Sequence, residues 1–373
     1  MKIIFNEQVA LEVFNVLGKA WRKKEGIFRD IVLPQDRYPA IDNPREYANW
    51  FFYCALPMRG GIISEEPFKL LWQARNEIPD LFEPEKVIRR WGPEEIEKLL
   101  RFLIVKRFSD GDDLKNGGNK KKGYKIDELA RSWHRNSLAL ATHWGSNVLN
   151  VFWGVTEFEE AFRRIDYHRN EEVGFRGMRR KIFSLFTIWL QEKDLINFFP
   201  TPFPVDFHAI RILWASGIIR TTDAKKIKQN PRYPTLEGKP GIRIWEGFVD
   251  QIHLWSQRFL AKNNLSHLEI NPALWVLSRE LCAKHLQNSS RDRGKILFDA
   301  SDIENNPNVW PSGYTNPCAI CPIEKWCQAA IPAAPAYRWG LLVKFNRVYY
   351  PQYSLQNLDL SKVAKATKKN TRK

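Results

Sequence analysis

Apolar residues recur every three or four positions along this chain, in blocks closed by proline, glycine and asparagine, and that spacing predicts helices almost throughout. In "NPREYANWFFYCALP", Asn43 is placed to cap a helix, Pro44 falls in its first turn and Pro57 stops it. "SEEPFKLLWQARNEIP" repeats the arrangement from Ser64 to Pro79. "GPEEIEKLLRFLIVKRF" predicts a third helix, with acids in its first turn and bases in its last, the order the helix dipole favours. The opening stretch "MKIIFNEQVALEVF" reads as an amphipathic helix, because Asn6, Glu7 and Gln8 interrupt it before a secretory core of sufficient length forms. "NSLALATHWGSNVLNVFWGVT", Asn136 to Thr156, is the longest run free of Lys, Arg, Asp and Glu. Its Asn, His, Ser, Thr and Gly make it a poor membrane span, so a buried helix is expected there.

Between the helical blocks, "SDGDDLKNGGNKKKGYK" from Ser109 to Lys125 is predicted to be a mobile loop. Its Asp110, Asp112 and Asp113 lack the remaining ligands of a calcium loop. Lys115, Lys120, Lys121 and Lys122 read as a solvated run that would also suit a polyanion. The tail "SKVAKATKKNTRK" has six basic residues and no acid, which predicts a disordered arm. No repeat of fixed period divides the chain.

Composition sharpens this picture. Hydrophobic residues make up 44 % of the 373, ample for sizeable cores and incompatible with a disordered chain. The formal net charge of +16 produces a field that attracts polyanions, and nucleic acid is the partner it favours. The 15 tryptophans and 23 phenylalanines serve either as packing anchors or as surfaces on which bases stack, Trp50, Phe51, Trp133 and His134 being candidates for the second use.

Three of the five cysteines stand together in "PCAICPIEKWC", where Cys318, Cys321 and Cys327 are spaced C-x2-C-x5-C. An odd cysteine count without an export signal argues against a disulfide framework, so these thiols are expected to be reduced and open to a metal. A zinc site or an iron–sulfur cubane takes a fourth ligand. Cys54 sits in an apolar helix, where a lone cysteine is usually a small hydrophobe; Cys282, followed by a hydrophilic stretch, is the preferred candidate. Zinc sites of four cysteines usually carry two C-x2-C pairs, and this chain has one.

The C-x2-C-x5-C ending resembles the cluster loop of the endonuclease III branch of the helix-hairpin-helix DNA glycosylases, whose pattern is C-x6-C-x2-C-x5-C. An apolar helix leads into the first cysteine here as well, and the last three share the C-x2-C-x-I-E-x-x-C texture. Two further segments follow the family's order. "FRGMRRK", Phe175 to Lys181, is similar to the hairpin L-P-G-V-G-R-K, with Gly177, Arg180 and Lys181 matching. "PFPVDFHAIRI", Pro202 to Ile212, is similar to V-D-T-H-x-x-R, with Val205, Asp206, His208 and Arg211 matching. The chain departs from the family in three places: 35 residues separate Cys282 from Cys318 where the family has six, Arg179 replaces the hairpin's second glycine, and the Lys181 to Asp206 connection is longer.

The resemblance implies an all-α, two-lobed fold: residues 47–200 as a helical bundle containing the hairpin, 201–334 as a cluster lobe on which 1–46 packs, and 335–373 as a basic extension. It implies that Gly177, Arg179 and Arg180 grip a DNA backbone, that Lys181 and Asp206 are catalytic and face each other across a pocket, and that Cys282, Cys318, Cys321 and Cys327 hold a 4Fe–4S cluster in a supporting role. The implied activity is removal of a damaged or modified base from duplex DNA after the nucleotide is flipped out, with Schiff-base lyase activity if Lys181 is the nucleophile and simple hydrolysis if water is. A monomer inside the cell, cytoplasmic or nucleoid-associated, is expected. Locally, Lys181 also reads as a solvated member of an R-R-K run, and Asp206 as a plain helix cap. An N-glycosidase acting on RNA or a modified nucleoside, and a non-catalytic iron–sulfur nucleic-acid-binding protein, are the alternatives.

Overall fold

The computed structural model describes residues 3–58, 64–108, 125–221, 242–243, 247–283, 321–327, 342–344 and 347–349. The described chain is mostly helical, with eleven α-helices and five short strands, and no described helix is long and apolar enough to cross a membrane. It divides into two compact units, one continuous (Val32–Pro204) and one built from Met1–Ile31 together with Val205–Lys373.

The strands belong to the discontinuous unit. The expected amphipathic helix at the start of the chain begins only at Glu7. Ile3–Phe5 (β1) pairs antiparallel with Ile219–Thr221 (β2), placing Ile3 opposite Thr221 and Phe5 opposite Ile219. Asn6 then turns strand into helix, its side-chain oxygen accepting the Val9 amide at 3.2 Å to cap α1, Glu7–Arg22. The helices that follow in this unit are α9 (Phe207–Ala215), α10 (Phe248–Lys262) and α11 (His267–Val276), the last carrying Pro272 and running into a π-helical turn, Leu277–Ala283. Close approach of α1 to α11 rests on Gly18: a Cβ there would stand 3.2 Å from Glu269 Oε2. Arg22 grips that carboxylate bidentately at 2.6 and 2.8 Å. Phe5 stacks on Trp255 with ring centroids 4.5 Å apart. Ile242–Arg243 (β3), Leu342–Lys344 (β4) and Arg347–Tyr349 (β5) form a small antiparallel sheet in the order β3-β5-β4, so strands lie within the stretch expected to be a basic extension. The tail from Ser361 onward falls outside the described residues.

The continuous unit holds α2 (Pro44–Ala55), α3 (Glu65–Glu77), α4 (Pro84–Arg90), α5 (Pro93–Phe108), α6 (Ile126–His143), α7 (Phe158–Ile165) and α8 (Arg180–Glu192). Asn43 caps α2 as predicted, accepting the Arg45 and Glu46 amides at 3.0 and 3.3 Å. From Tyr47 to Ala55 every residue of α2 is buried. Phe51 touches Phe68 of α3 and Trp189 of α8, Phe52 meets Phe186 of α8, and Tyr53 stacks on Trp133 of α6 at 4.3 Å. Two polar groups inside this core are satisfied locally, the Tyr53 hydroxyl 2.7 Å from Ser137 Oγ and Trp133 Nε1 donating to Leu81 O at 3.0 Å, whereas Trp50 Nε1 and Thr187 Oγ1 are buried without a hydrogen-bond partner among the described residues.

Two helix predictions are corrected. Ser64 does not cap α3; it is itself α-helical in conformation and its side chain makes no capping bond, leaving Glu65 and Glu66 to complement the dipole. The run from Asn136 to Thr156 is not one helix. Gly145 and Ser146 adopt left-handed conformations after α6 ends, and Val148–Phe152 forms a 3₁₀ turn. The cause is the short polar residues, since Asn147 accepts the Leu149 amide and Asn150 donates to Trp144 O in place of helical bonds. The first 46 residues are also shared between the units. Residues from Val32 onward join the continuous unit, where Gln35 Nε2 donates to Glu192 at 2.8 Å and Lys193 pairs with Asp36 at 2.5 Å.

Two titratable groups, Glu192 in the continuous unit and His267 in the other, act in opposite senses. Burial pushes the Glu192 carboxyl up to about 7, against the lowering effect of the Gln35 hydrogen bond. The fold then keeps a proton that the unfolded chain releases from about 4.5, so stability is highest below that pH and is lost as pH rises towards 7. Burial lowers His267 from 6.5 to about 3, so its contribution is complete above 6.5 and is lost as pH falls towards 3. Glu192→Gln, which keeps an acceptor for Gln35, is expected to raise Tm by roughly 2–6 °C at alkaline pH and to leave it unchanged in acid below the ordinary carboxylate range. Thermal unfolding followed by circular dichroism at the two pH values checks this; an unchanged alkaline Tm would show that the ionised carboxylate is tolerated.

Candidate functional site

The glycine hairpin that the sequence points to lies between α7 and α8. Residues 166–179 connect the two helices, but Phe175 N donates to Ile165 O at 2.9 Å and pinches off residues 166–174 as a closed excursion. Asp166 and Asn170 tie this excursion internally, accepting the His168 and Glu172 amides at 3.1 and 2.9 Å. At its neck Gly174 lies against Tyr167 so closely that a Cβ would come within 2.5 Å of the Tyr167 Cα. What remains between the helices is the stretch Phe175-Arg176-Gly177-Met178-Arg179. Phe175 and Met178 are buried, Met178 N donates to Phe175 O at 3.2 Å, and Gly177 takes φ +84°.

A buried asparagine clamps this turn. Asn136 of α6 accepts the Arg176 amide at 2.7 Å and donates to the Arg176 carbonyl at 3.1 Å, so one side chain holds both polar groups of a backbone residue. The chain then enters α8 through Arg179, which is exposed and extended, with no side chain capping the helix. The first-turn amides of α8 thus have no side-chain cap, and an uncapped helix N-terminus is the arrangement that receives an anion. Arg180 is engaged: its guanidinium pairs with Glu159 of α7 and lies over the Phe162 ring, 4.5 Å from the centroid. Lys181, half-buried in the first turn, makes no ion pair or side-chain hydrogen bond among the described residues.

Asp206 belongs to the other unit. It caps α9 with Oδ1, which accepts the His208 and Ala209 amides at 2.8 and 3.0 Å, while Oδ2 accepts no hydrogen bond among the described residues. The rest of its motif holds the helix in place. Buried Arg211 donates to Ser278 Oγ and Ser278 O at 2.8 and 3.2 Å, and His208 Nδ1 lies 3.1 Å from the same hydroxyl. The matched His and Arg therefore lock the Asp206 helix onto the π-helical turn that includes Cys282.

Of the expected metal ligands, Cys318 lies outside the described residues, and only the backbone of Cys282 is described. Cys321 and Cys327, both half-buried, bracket a 3₁₀ turn at Glu324–Trp326, in which Glu324 N donates to Cys321 O and Cys327 N to Glu324 O. That turn is anchored on α1, where Trp326 Nε1 donates to Glu12 Oε2 at 2.8 Å and, after the Gln8 hydrogen bond, helps lower the Glu12 carboxyl. Two of the four expected thiols are thus carried by one anchored turn. No group of three or more potential ligands comes together among the described residues. Cys54 is fully buried in α2 and burial raises its thiol well above the ordinary range, which disfavours the thiolate a metal needs.

The aromatic candidates for base stacking divide. Trp50, Phe51 and Trp133 are fully buried and serve the core; His134 is half-buried. The lysines Lys115, Lys120, Lys121 and Lys122, and Asp110, Asp112 and Asp113, lie outside the described residues. Asn136 escaped sequence reasoning because it stands inside an apolar helical run, where its partner, a backbone amide some forty residues on, leaves no local signal. Neither the protein-family models nor the curated proteins include a match to this chain.

Asn136→Ala is expected to cost about 1–3 kcal/mol, since both Arg176 backbone groups lose their partner. A lowered urea midpoint with an unchanged slope is the signature; an unaltered midpoint would mean that water replaces the clamp without loss.

Proposed function

We propose that this chain is a DNA glycosylase of the helix-hairpin-helix kind, carrying a 4Fe–4S cluster on Cys282, Cys318, Cys321 and Cys327. The observation that carries the reading is the pinched hairpin. Once residues 166–174 are closed off by the Phe175 to Ile165 bond, a short turn with Gly177 in the left-handed conformation leads directly into an uncapped helix, and Lys181 stands in its first turn. Such a turn holds a phosphate through backbone amides without reading sequence. Arg179, exposed at the helix start, adds charge where the family resemblance has glycine, and Arg180 steadies the hairpin through Glu159.

In this reading the target nucleotide leaves the stack, and the C1′–N bond breaks with its electron pair departing on the base. The Asp206 carboxylate stabilises the cationic sugar with Oδ2, while Oδ1 stays fixed on the α9 amides. The Lys181 amine then bonds to C1′ through its nitrogen lone pair and loses a proton. Ring opening gives a Schiff base, from which a C2′ proton and the 3′ phosphate are eliminated. The cluster, when bound, supplies rigidity to the cysteine turn that Trp326 and Glu12 attach to α1.

One observation favours the non-catalytic alternative: the capping role by itself accounts for Asp206. Asp206→Asn separates the two, because asparagine caps a helix as well as aspartate but carries no charge. The proposal expects base release from lesion-bearing duplexes to fall by about 10²-fold or more in Asp206→Asn with little change in Tm. It expects a borohydride-trapped adduct in the parent chain that is lost in Lys181→Ala. Full activity in Asp206→Asn, or neither free base nor adduct from any DNA substrate, would refute it, and release from RNA alone would move the activity to the alternative substrate. Anaerobically purified chain should contain about four irons with broad visible absorption, lost in Cys327→Ser; stoichiometric zinc instead would overturn the cluster.

A further inference from the structure

Trp153 has a position that none of the roles above uses. It is 81 % exposed, whereas every other described tryptophan is buried or half-buried, and its indole makes no ring contact with a described residue. Its backbone is nonetheless fixed. Trp153 at φ −62°, ψ 120° and Gly154 at φ +69°, closed by Val155 N donating to Phe152 O at 3.1 Å, form a type II turn whose third position calls for glycine. Arg164 Nη1 donates to the carbonyls of Val151 and Trp153 at 3.0 and 2.8 Å, while its Nη2 is held by Glu160 at 2.6 Å. On the inner side, Phe152 is buried and stacks on Phe183 of α8 at 5.7 Å, two residues beyond Lys181. A large flat ring is therefore offered to solvent from a corner that cannot collapse around it.

Charge selects what the ring meets. The two acids of α7 nearest this turn are neutralised, Glu160 by Arg164 and Glu159 by Arg180. Arg163 of α7 and Lys181, two residues before Phe183, make no ion pair among the described residues, against one exposed carboxylate next to the turn, Glu157. A rigid indole in a net positive surround fits a base attached to a phosphate chain, since every base presents a π-face and little side-chain freedom is lost on stacking. We propose that Trp153 is a stacking platform for an unpaired nucleobase. The inference shares the nucleic-acid partner of the proposed function but not its chemistry.

The test uses the full chain and fluorescence anisotropy at one fixed salt concentration, with three labelled DNAs of equal length: a single strand, a duplex with one unpaired thymine, and a fully paired duplex. Trp153→Ala should weaken binding to the first two by about 5- to 100-fold and leave the paired duplex unaffected, while Trp153→Phe retains most of the affinity. Because the side chain is 81 % exposed and makes no ring contact with a described residue, the variant's Tm should equal the parent's. Equal affinity of variant and parent for all three DNAs, or equal weakening on all three, would overturn this inference and leave the proposed function standing. Absence of binding of the parent chain to any of the three DNAs would overturn both. Trp153-dependent binding to phosphatidylserine vesicles, without the DNA preference, would assign the ring to a membrane surface and overturn it as well.

Discussion

The continuous unit depends on a helix that never meets solvent along most of its length. From Tyr47 to Ala55, α2 is buried on every side, and its aromatic rings touch α3, α6 and α8. Ring packing of this kind is directional as well as apolar, because tilted and edge-on contacts fix the angles between helices more narrowly than aliphatic contacts do. The orientation of α8, and with it the place of Arg179 and Lys181, follows from how Phe52 and Phe186 meet. A core so committed to large rings leaves no aromatic of α2 for function.

Around that core, single polar side chains do what secondary structure does elsewhere. Asn49 donates to Ser146 O and accepts the Val148 amide, and Asn136 does the same for both groups of Arg176. In the other unit Ser278 receives both His208 and Arg211. Each lock joins an irregular segment to a helix, and each irregular segment carries a residue of functional interest. Buried amides and hydroxyls suit this task because leaving their partners unsatisfied would be costly, so the irregular backbone has one acceptable conformation.

Much of the helical layout could be read from sequence because its signals are local. Asn43 before Pro44 marks the start of α2, and Pro93, Glu94 and Glu95 mark the start of α5. The misread segments fail for a shared reason. Ile3–Phe5 becomes a strand because its partner lies more than two hundred residues on, and the chain breaks after α6 because Gly145 and Ser146 turn left-handed where apolar neighbours suggested continuity. The turn at Gly177 and the helix cap at Asp206 are legible in the sequence. The closure of residues 166–174 was not, since it depends on one amide returning to Ile165.

The cysteine turn is fastened to the first helix of the chain. Trp326 reaches Glu12, Arg22 reaches Glu269 and Ile3 pairs with Thr221, so the unit that holds them is assembled from segments more than two hundred residues apart. During ribosomal synthesis, residues 32–204 emerge as an uninterrupted stretch, whereas α1 has no α11 to pack on until much later. Vectorial production thus puts the α7–α8 turn on the nascent chain well before the turn of Cys321 and Cys327 that is anchored to α1.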